Sequence, residues 1–124
     1  MFKKFLLFSI FTILLFGYDF GAVPKVKVAD IPKGKRVMVQ FGKTECVWCE
    51  YMAKYFKEIK AKYPKVPIYY VNTDKDIMGA INSNVEILPA SIFLDENGKE
   101  IGRHEGYLLP NQIMALLKKY RILP

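Results

Sequence analysis

The apolar positions along the chain recur with two spacings, one typical of strands and one typical of helices. Compact β-branched and apolar runs predict strands over residues 36–41, 66–72 and 90–94, and a turn sequence after the third predicts a partner strand over 100–104. Apolar residues three and four positions apart predict amphipathic helices over 46–63 and 110–120, and a shorter helix over 75–81. A weaker alternating piece over 23–28 predicts an edge strand.

The order of these elements predicts an α/β domain. A strand, a helix and a second strand in succession imply a parallel crossover. The turn sequence Asp95-Glu96-Asn97-Gly98 predicts a hairpin, so the strands on either side of it are antiparallel. We therefore expect a central mixed sheet of four to five strands flanked by helices.

The first residues have the pattern of a targeting segment. Two lysines in positions 1–4 precede a twelve-residue apolar run, FLLFSIFTILLF. As a helix this run spans about 18 Å, less than the roughly 30 Å of a bilayer core, which favours a signal peptide over a membrane span. Because no clean small-x-small cleavage site follows it, an N-terminal membrane anchor stays open. We predict a signal peptide or anchor over residues 1–17, a domain over 18–124, and export to the periplasm.

The charge pattern limits the partners. The chain has 19 basic and 12 acidic residues, for a formal net charge of +7. Its lysines are scattered rather than interleaved with aromatic residues in a repeat, which is typical of solvated helix faces. We expect no nucleic-acid partner and a monomeric protein.

The only two cysteines, Cys46 and Cys49, lie two residues apart where a strand is followed by a helix. Zinc needs four ligands, and the chain adds only His104. Covalent haem needs a histidine directly after the second cysteine, where Glu50 stands. A purely structural disulfide across so small a ring removes little chain entropy. Redox chemistry fits the pair better, because the helix start favours a thiolate on Cys46.

Several further motifs resemble those of the thioredoxin superfamily over residues 37–120. They are Phe41 five residues before Cys46, the run Val71-Asn72-Thr73-Asp74, the run Val85-x-x-Leu88-Pro89, Gly98-Lys99 in the hairpin, and Gly106 before the last helix. The resemblance implies a thioredoxin-like fold. It also implies a thiol:disulfide oxidoreductase with Cys46 and Cys49 as its catalytic pair.

The same resemblance implies a substrate-binding surface. Pro89 matches the cis-proline of the family, and Leu88 matches the residue whose backbone pairs with an extended substrate chain. Trp48, between the cysteines, is expected to be partly exposed and to add an apolar contact for substrate. Its alternative is a buried anchor of the core.

Three residues are predicted to tune the cysteines. Gln40 stands where the family keeps a buried acid, so the usual proton acceptor for Cys49 is missing. Glu45 places a carboxylate beside Cys46 and opposes its ionisation, an effect that Lys43 offsets. The dipeptide Val47-Trp48 is similar to those of exported, specialised thioredoxin-like reductases.

Together these features predict an exported reductase or isomerase of protein disulfides. It requires no cofactor and no metal, and it is re-reduced by a membrane-borne reductase. Two alternatives remain at this point. One is a disulfide oxidase of the same fold, and the other is a non-enzymatic module that binds Cu(I) through the two thiolates, with His104 as the one imidazole.

Overall fold

The computed structural model describes residues 23–124, where four strands and three helices follow in the predicted order. The strands are β1 (Val37–Gly42), β2 (Ile68–Asn72), β3 (Ala90–Leu94) and β4 (Glu100–Glu105). The helices are α1 (Val47–Lys62), α2 (Ile77–Asn82) and α3 (Pro110–Lys119). The predicted targeting segment, residues 1–17, lies outside the described residues, as do residues 18–22.

The four strands form one mixed sheet in the order β2-β1-β3-β4. The pair β1 and β2 is parallel, with Met38 opposite Ile68, which confirms the predicted crossover. The pairs β1/β3 and β3/β4 are antiparallel, which confirms the hairpin. As a result the end of β1, the end of β2, the start of β3 and the end of β4 lie at one end of the sheet.

The predicted edge strand over residues 23–28 is reduced to a single bridge. Lys25 bridges to Tyr70 of β2 in parallel, through the hydrogen bonds Val26 N to Tyr70 O and Tyr70 N to Pro24 O, both 2.9 Å. Two residues later the backbone N–H of Val28 donates to the carboxylate of Asp76 at 2.7 Å, and a short 3-10 helix, Val28–Asp30, begins. The Asp76 carboxylate thus replaces a backbone partner and draws the chain away from the sheet.

Both faces of the sheet are covered. Side chains alternate along β1. Met38 therefore faces α1 and α3, while Val39 and Phe41 lie on the opposite face of the sheet, in a second and smaller core. The larger core, under the two long helices, includes Met52, Phe56, Phe93, Ile113 and Leu117. The whole of β1 is buried, which makes it a rigid support for the loop that follows it.

Helix α1 starts and stops where the sequence predicts. Cys46 is its N-cap, and Tyr63 closes it directly before Pro64, which cannot continue the helix. Met52, Phe56 and Ile59 form its buried stripe. Among residues 23–124 no helix combines the length and the apolar content that crossing a bilayer requires.

A polar clasp closes the end of the sheet opposite the cysteines. The guanidinium of Arg36 pairs with Glu96 of the hairpin turn at 2.8 Å and also donates to the carbonyl oxygen of Tyr120 at 3.1 Å. It thereby joins the start of β1, the β3–β4 turn and the end of α3.

Candidate active site

Cys46 and Cys49 form a disulfide at the start of α1, with their Cα atoms 5.2 Å apart. The Sγ of Cys46 also accepts a hydrogen bond from the backbone N–H of Cys49 at 3.2 Å, so it takes the capping position of the helix. Cys46 is half-buried, whereas Cys49 is only 4% exposed. The two sulfurs therefore differ in access, and only the first can meet a large substrate directly.

Gln40 lies on β1 and is 2% exposed, as expected for a buried polar residue on the central strand. Its Oε1 accepts a hydrogen bond of 2.6 Å from the hydroxyl of Ser91 on β3, which is fully buried. The sequence analysis did not single out Ser91. A lone serine in the apolar run ASIFL, opposite a glutamine in an antiparallel register, was the available signal.

The peptide bond between Leu88 and Pro89 is cis, as the resemblance implied. Because Phe41 pairs with Ala90, Pro89 is level with the end of β1, from which the chain continues to the cysteines. Pro89 is buried and its carbonyl oxygen accepts a hydrogen bond of 2.7 Å from Gly106 N, while Leu88 is half-buried. The substrate-binding role of both residues stays a prediction.

Trp48 is 54% exposed, so it is no buried anchor of the core. Its ring contacts Tyr107, with 5.1 Å between centroids, and Tyr51, with 6.0 Å. The hydroxyls of Tyr107 and Tyr55 are 2.5 Å apart, and this hydrogen bond raises the pKa of Tyr107 to about 12. Tyr107, which the sequence analysis did not single out, is carried by Gly106 at φ +100°, a backbone conformation that favours glycine.

The two charged residues of the loop before α1 point to solvent. Glu45 is exposed and has a left-handed backbone, with φ 64°, and Lys43 is also exposed. Both are within three residues of Cys46 along the chain. Their predicted tuning of the cysteines stays a prediction.

Large apolar side chains are exposed around the cysteines. In the described part of the chain the large hydrophobic residues at the surface are Val47, Trp48, Tyr51, Ile77, Met78, Ile81, Ile87 and Leu109. They belong to the start of α1, to α2, to the loop before Pro89 and to the loop before α3, which follow or precede the strand ends that meet near the cysteines. This end of the molecule therefore exposes large apolar side chains as well as the disulfide.

His104 lies on β4 opposite Ser91 and is half-buried. No group of three or more His, Cys, Asp or Glu side chains within residues 23–124 is arranged to hold a metal ion. His104 therefore does not join the two cysteines as a third ligand.

Three features together define a thioredoxin-like domain. They are the mixed four-stranded sheet, the Cys-x-x-Cys pair at the start of a helix, and the cis-proline level with the end of β1. A family model described as a thioredoxin-like domain matches residues 25–121. The chain belongs to this family, within the thioredoxin superfamily.

A curated relative agrees with that assignment. The chain is 35% identical over 85 residues to "Thioredoxin Y, chloroplastic" of Oryza sativa subsp. japonica, a match that covers 68% of this chain and 50% of the relative. The chain thus spans about half the length of this curated relative.

Solved structures show the same fold. An uncharacterised thioredoxin-like protein from Clostridium perfringens superimposes with a TM-score of 0.69 at 21% identity, over 84% of this chain and 86% of that one. Oxidised mitochondrial thioredoxin 3 from Saccharomyces cerevisiae gives 0.65 at 21% identity, over 85% and 99%. The family and the cysteine pair together support thiol:disulfide oxidoreductase chemistry.

Proposed function

We propose that this protein is an exported thiol:disulfide oxidoreductase that reduces or isomerises disulfides in other proteins. The observation that carries the proposal is the unequal exposure of the two cysteines, with an exposed tryptophan between them. Cys46 is half-buried, Cys49 is 4% exposed, and Trp48 between them is 54% exposed. The accessible thiol of Cys46 is suited to attack a substrate disulfide, and the buried thiol of Cys49 is suited to resolve the mixed disulfide.

The reaction starts from the reduced pair. The thiolate of Cys46 attacks one sulfur of the substrate disulfide, forms a mixed disulfide and releases the other substrate sulfur as a thiolate, which takes up a proton. Cys49 then loses its proton and attacks the Sγ of Cys46, which expels the second substrate thiolate. Two electrons pass to the substrate, and the protein is left with the Cys46–Cys49 disulfide that the structure contains.

The surroundings of the pair favour protein substrates over small disulfides. A small reagent needs only the sulfur of Cys46, whereas an unfolded chain offers apolar side chains that can cover the exposed Trp48 and Ile87. We propose that the backbone of Leu88, beside the cis peptide bond, pairs with an extended segment of the substrate. These features support an extended apolar peptide as the ligand of this surface.

The sequence supports the compartment and the electron donor. The apolar run of residues 5–16 after two lysines is typical of an export signal, so we place the domain in the periplasm, free or tethered through residues 1–17. In an oxidising compartment a reductase must be reset. A membrane-borne reductase is the partner that we propose, with the domain acting as a monomer.

One experiment tests direction and chemistry together. The exported protein is trapped in cells with an alkylating agent, and the modified forms are separated by mass. A reductase is expected to be mostly alkylated at both Cys46 and Cys49. A fully oxidised population in unstressed cells contradicts the proposal and favours an oxidase. Stoichiometric copper, measured in the purified protein, favours the Cu(I) module.

A further inference from the structure

A cavity of about 680 Å³ lies between α1 and the β2 edge of the sheet. Glu50, Ala53 and Lys57 form its helical wall at spacings of three and four residues. Trp48, Tyr51 and Tyr55 lie on a different stripe of the same helix, so the cavity is separate from the aromatic surface beside the cysteines. Its volume is in the range of small-molecule sites, roughly 300 to 1,000 Å³.

A buried donor lies at the cavity wall. Gln40 lines the cavity, is 2% exposed, and uses its Oε1 to accept the Ser91 hydroxyl. Its Nε2 donates to no group within residues 23–124, yet no side-chain polar atom in this part of the chain is both fully enclosed and without a partner. The Nε2 group therefore keeps a small accessible area, and Gln40 lines the cavity. A ligand oxygen there meets a donor that no described residue satisfies.

The rest of the lining is apolar inside and basic at the rim. Ala53 and the half-buried ring of Tyr70 give the wall apolar area, with the buried Phe56 behind them, and burial raises the pKa of the Tyr70 phenol, with a smaller contribution from Asp74. Three carboxylates line the cavity, and one of them, on Asp76, already accepts two backbone N–H groups. Five lysines outnumber these acids, namely Lys25, Lys27, Lys43, Lys57 and Lys75.

We propose that this cavity binds a small organic anion with a flat apolar body and one acidic group. The basic rim selects the charge, the wall of Tyr70 and Ala53 takes the apolar body, and Gln40 Nε2 donates to an oxygen of the ligand. A macromolecule is not the expected occupant, because Gln40 lies behind the surface of α1, out of reach of a flat partner. The proposal does not depend on the redox activity.

The test uses the full chain and naphthalene-2-sulfonate as the probe, with uncharged naphthalene-2-sulfonamide as the comparator. In ¹H–¹⁵N NMR titrations the sulfonate is expected to give saturable shifts at the side-chain amide of Gln40 and at the backbone amides of Ala53 and Lys57. The sulfonamide is expected to bind about tenfold more weakly, because it lacks the charge that the lysine rim attracts. Equal binding of the two compounds, or saturable shifts only around Trp48, overturns the proposal.

Two alanines of α1 give matched variants. Ala53 is exposed and lines the cavity, whereas Ala61 is exposed on the same helix and does not. Ala53→Phe fills the cavity and is expected to abolish saturable binding of the sulfonate, while Ala61→Phe leaves it within about twofold of the original affinity. Unchanged binding in Ala53→Phe, or no saturable binding to the unaltered full chain, overturns the proposal.

Discussion

The ring of Trp48 rests against the ring of Tyr107, with 5.1 Å between their centroids. The contact joins α1 to the loop after β4 and holds the indole at the surface, since 54% of Trp48 remains exposed. An exposed aromatic ring that is fixed in place loses little conformational entropy when a ligand covers it.

Replacing Trp48 by alanine tests its role as a substrate contact. Trp48→Ala is expected to slow reduction of a protein disulfide by roughly tenfold, the effect of about 1.4 kcal/mol of lost apolar contact, and to leave reduction of a small disulfide reagent nearly unchanged. Because the side chain is half-exposed, the free energy of unfolding should fall by far less than the roughly 3 to 5 kcal/mol of a buried tryptophan. Stopped-flow exchange and urea unfolding measure the two effects.

Trp48→Phe is the control, since it keeps a flat ring at the same position and should retain most of the rate. Equal losses toward the large and the small substrate would remove Trp48 from the substrate surface.

Replacing each cysteine by serine is expected to block the exchange reaction at a different step. Cys46→Ser should abolish exchange, because the accessible sulfur is lost, whereas Cys49→Ser should accumulate mixed disulfides with substrate proteins, because the 4% exposed resolving sulfur is lost. Non-reducing electrophoresis followed by mass spectrometry distinguishes them. Trapping by Cys46→Ser with normal turnover of Cys49→Ser would reverse the assigned roles.

The uncharged Gln40 is expected to limit proton removal from Cys49. Gln40→Asp should accelerate the resolving step at neutral pH, because its carboxylate can take the proton that the glutamine amide cannot. Burial raises the pKa of such a carboxyl, so the unfolding free energy of this variant should fall as pH rises above about 4. Rapid-quench measurement of mixed-disulfide decay gives the rate.

Gln40→Asn is the matched control, since it has the shape of aspartate without the charge. If it accelerates the resolving step as much as Gln40→Asp does, the base hypothesis is wrong and a shorter side chain alone explains the gain.

The hydroxyl pair of Tyr55 and Tyr107 predicts an unusual titration. Tyr107 is expected to ionise at about pH 12, because its hydrogen bond to Tyr55 favours the neutral phenol. The raised pKa adds stability that is present below the unfolded pKa of about 10 and is lost as pH rises toward the folded pKa. Tyr55→Phe should return Tyr107 toward its ordinary pKa, as followed by NMR of ¹³C-labelled tyrosine. Ionisation near pH 10 in the unaltered protein would contradict this.

The strands and helices could be predicted because the spacing of apolar residues and the positions of turn residues indicate the same elements. The run RVMVQF, the turn Asp95–Gly98 and Pro110 each allow one local structure, and the structure has all three. The edge strand predicted over residues 23–28 is only a single bridge, and the sequence could not show this, because the chain there pairs with the carboxylate of Asp76, which is remote in sequence.

The site was predictable only in part, for a related reason. Motif spacing located Cys46, Cys49 and Pro89, but the hydrogen bond of Ser91 to Gln40 depends on strand register. The apolar side chains of α2, Ile77, Met78 and Ile81, have the spacing of a buried stripe and yet are exposed. Spacing indicates that a helix has an apolar face, and only the neighbouring elements decide whether something covers it.

The Arg36 clasp and the disulfide lie at opposite ends of the sheet. The β3–β4 turn lies at the clasp, and β3 runs five residues from there to the cysteine end, a span of roughly 17 Å. Asn97, exposed in that turn, is therefore a suitable anchoring point for a sensor surface or a bulky label. A protein immobilised there presents its disulfide outward, in an orientation that leaves incoming chains unobstructed.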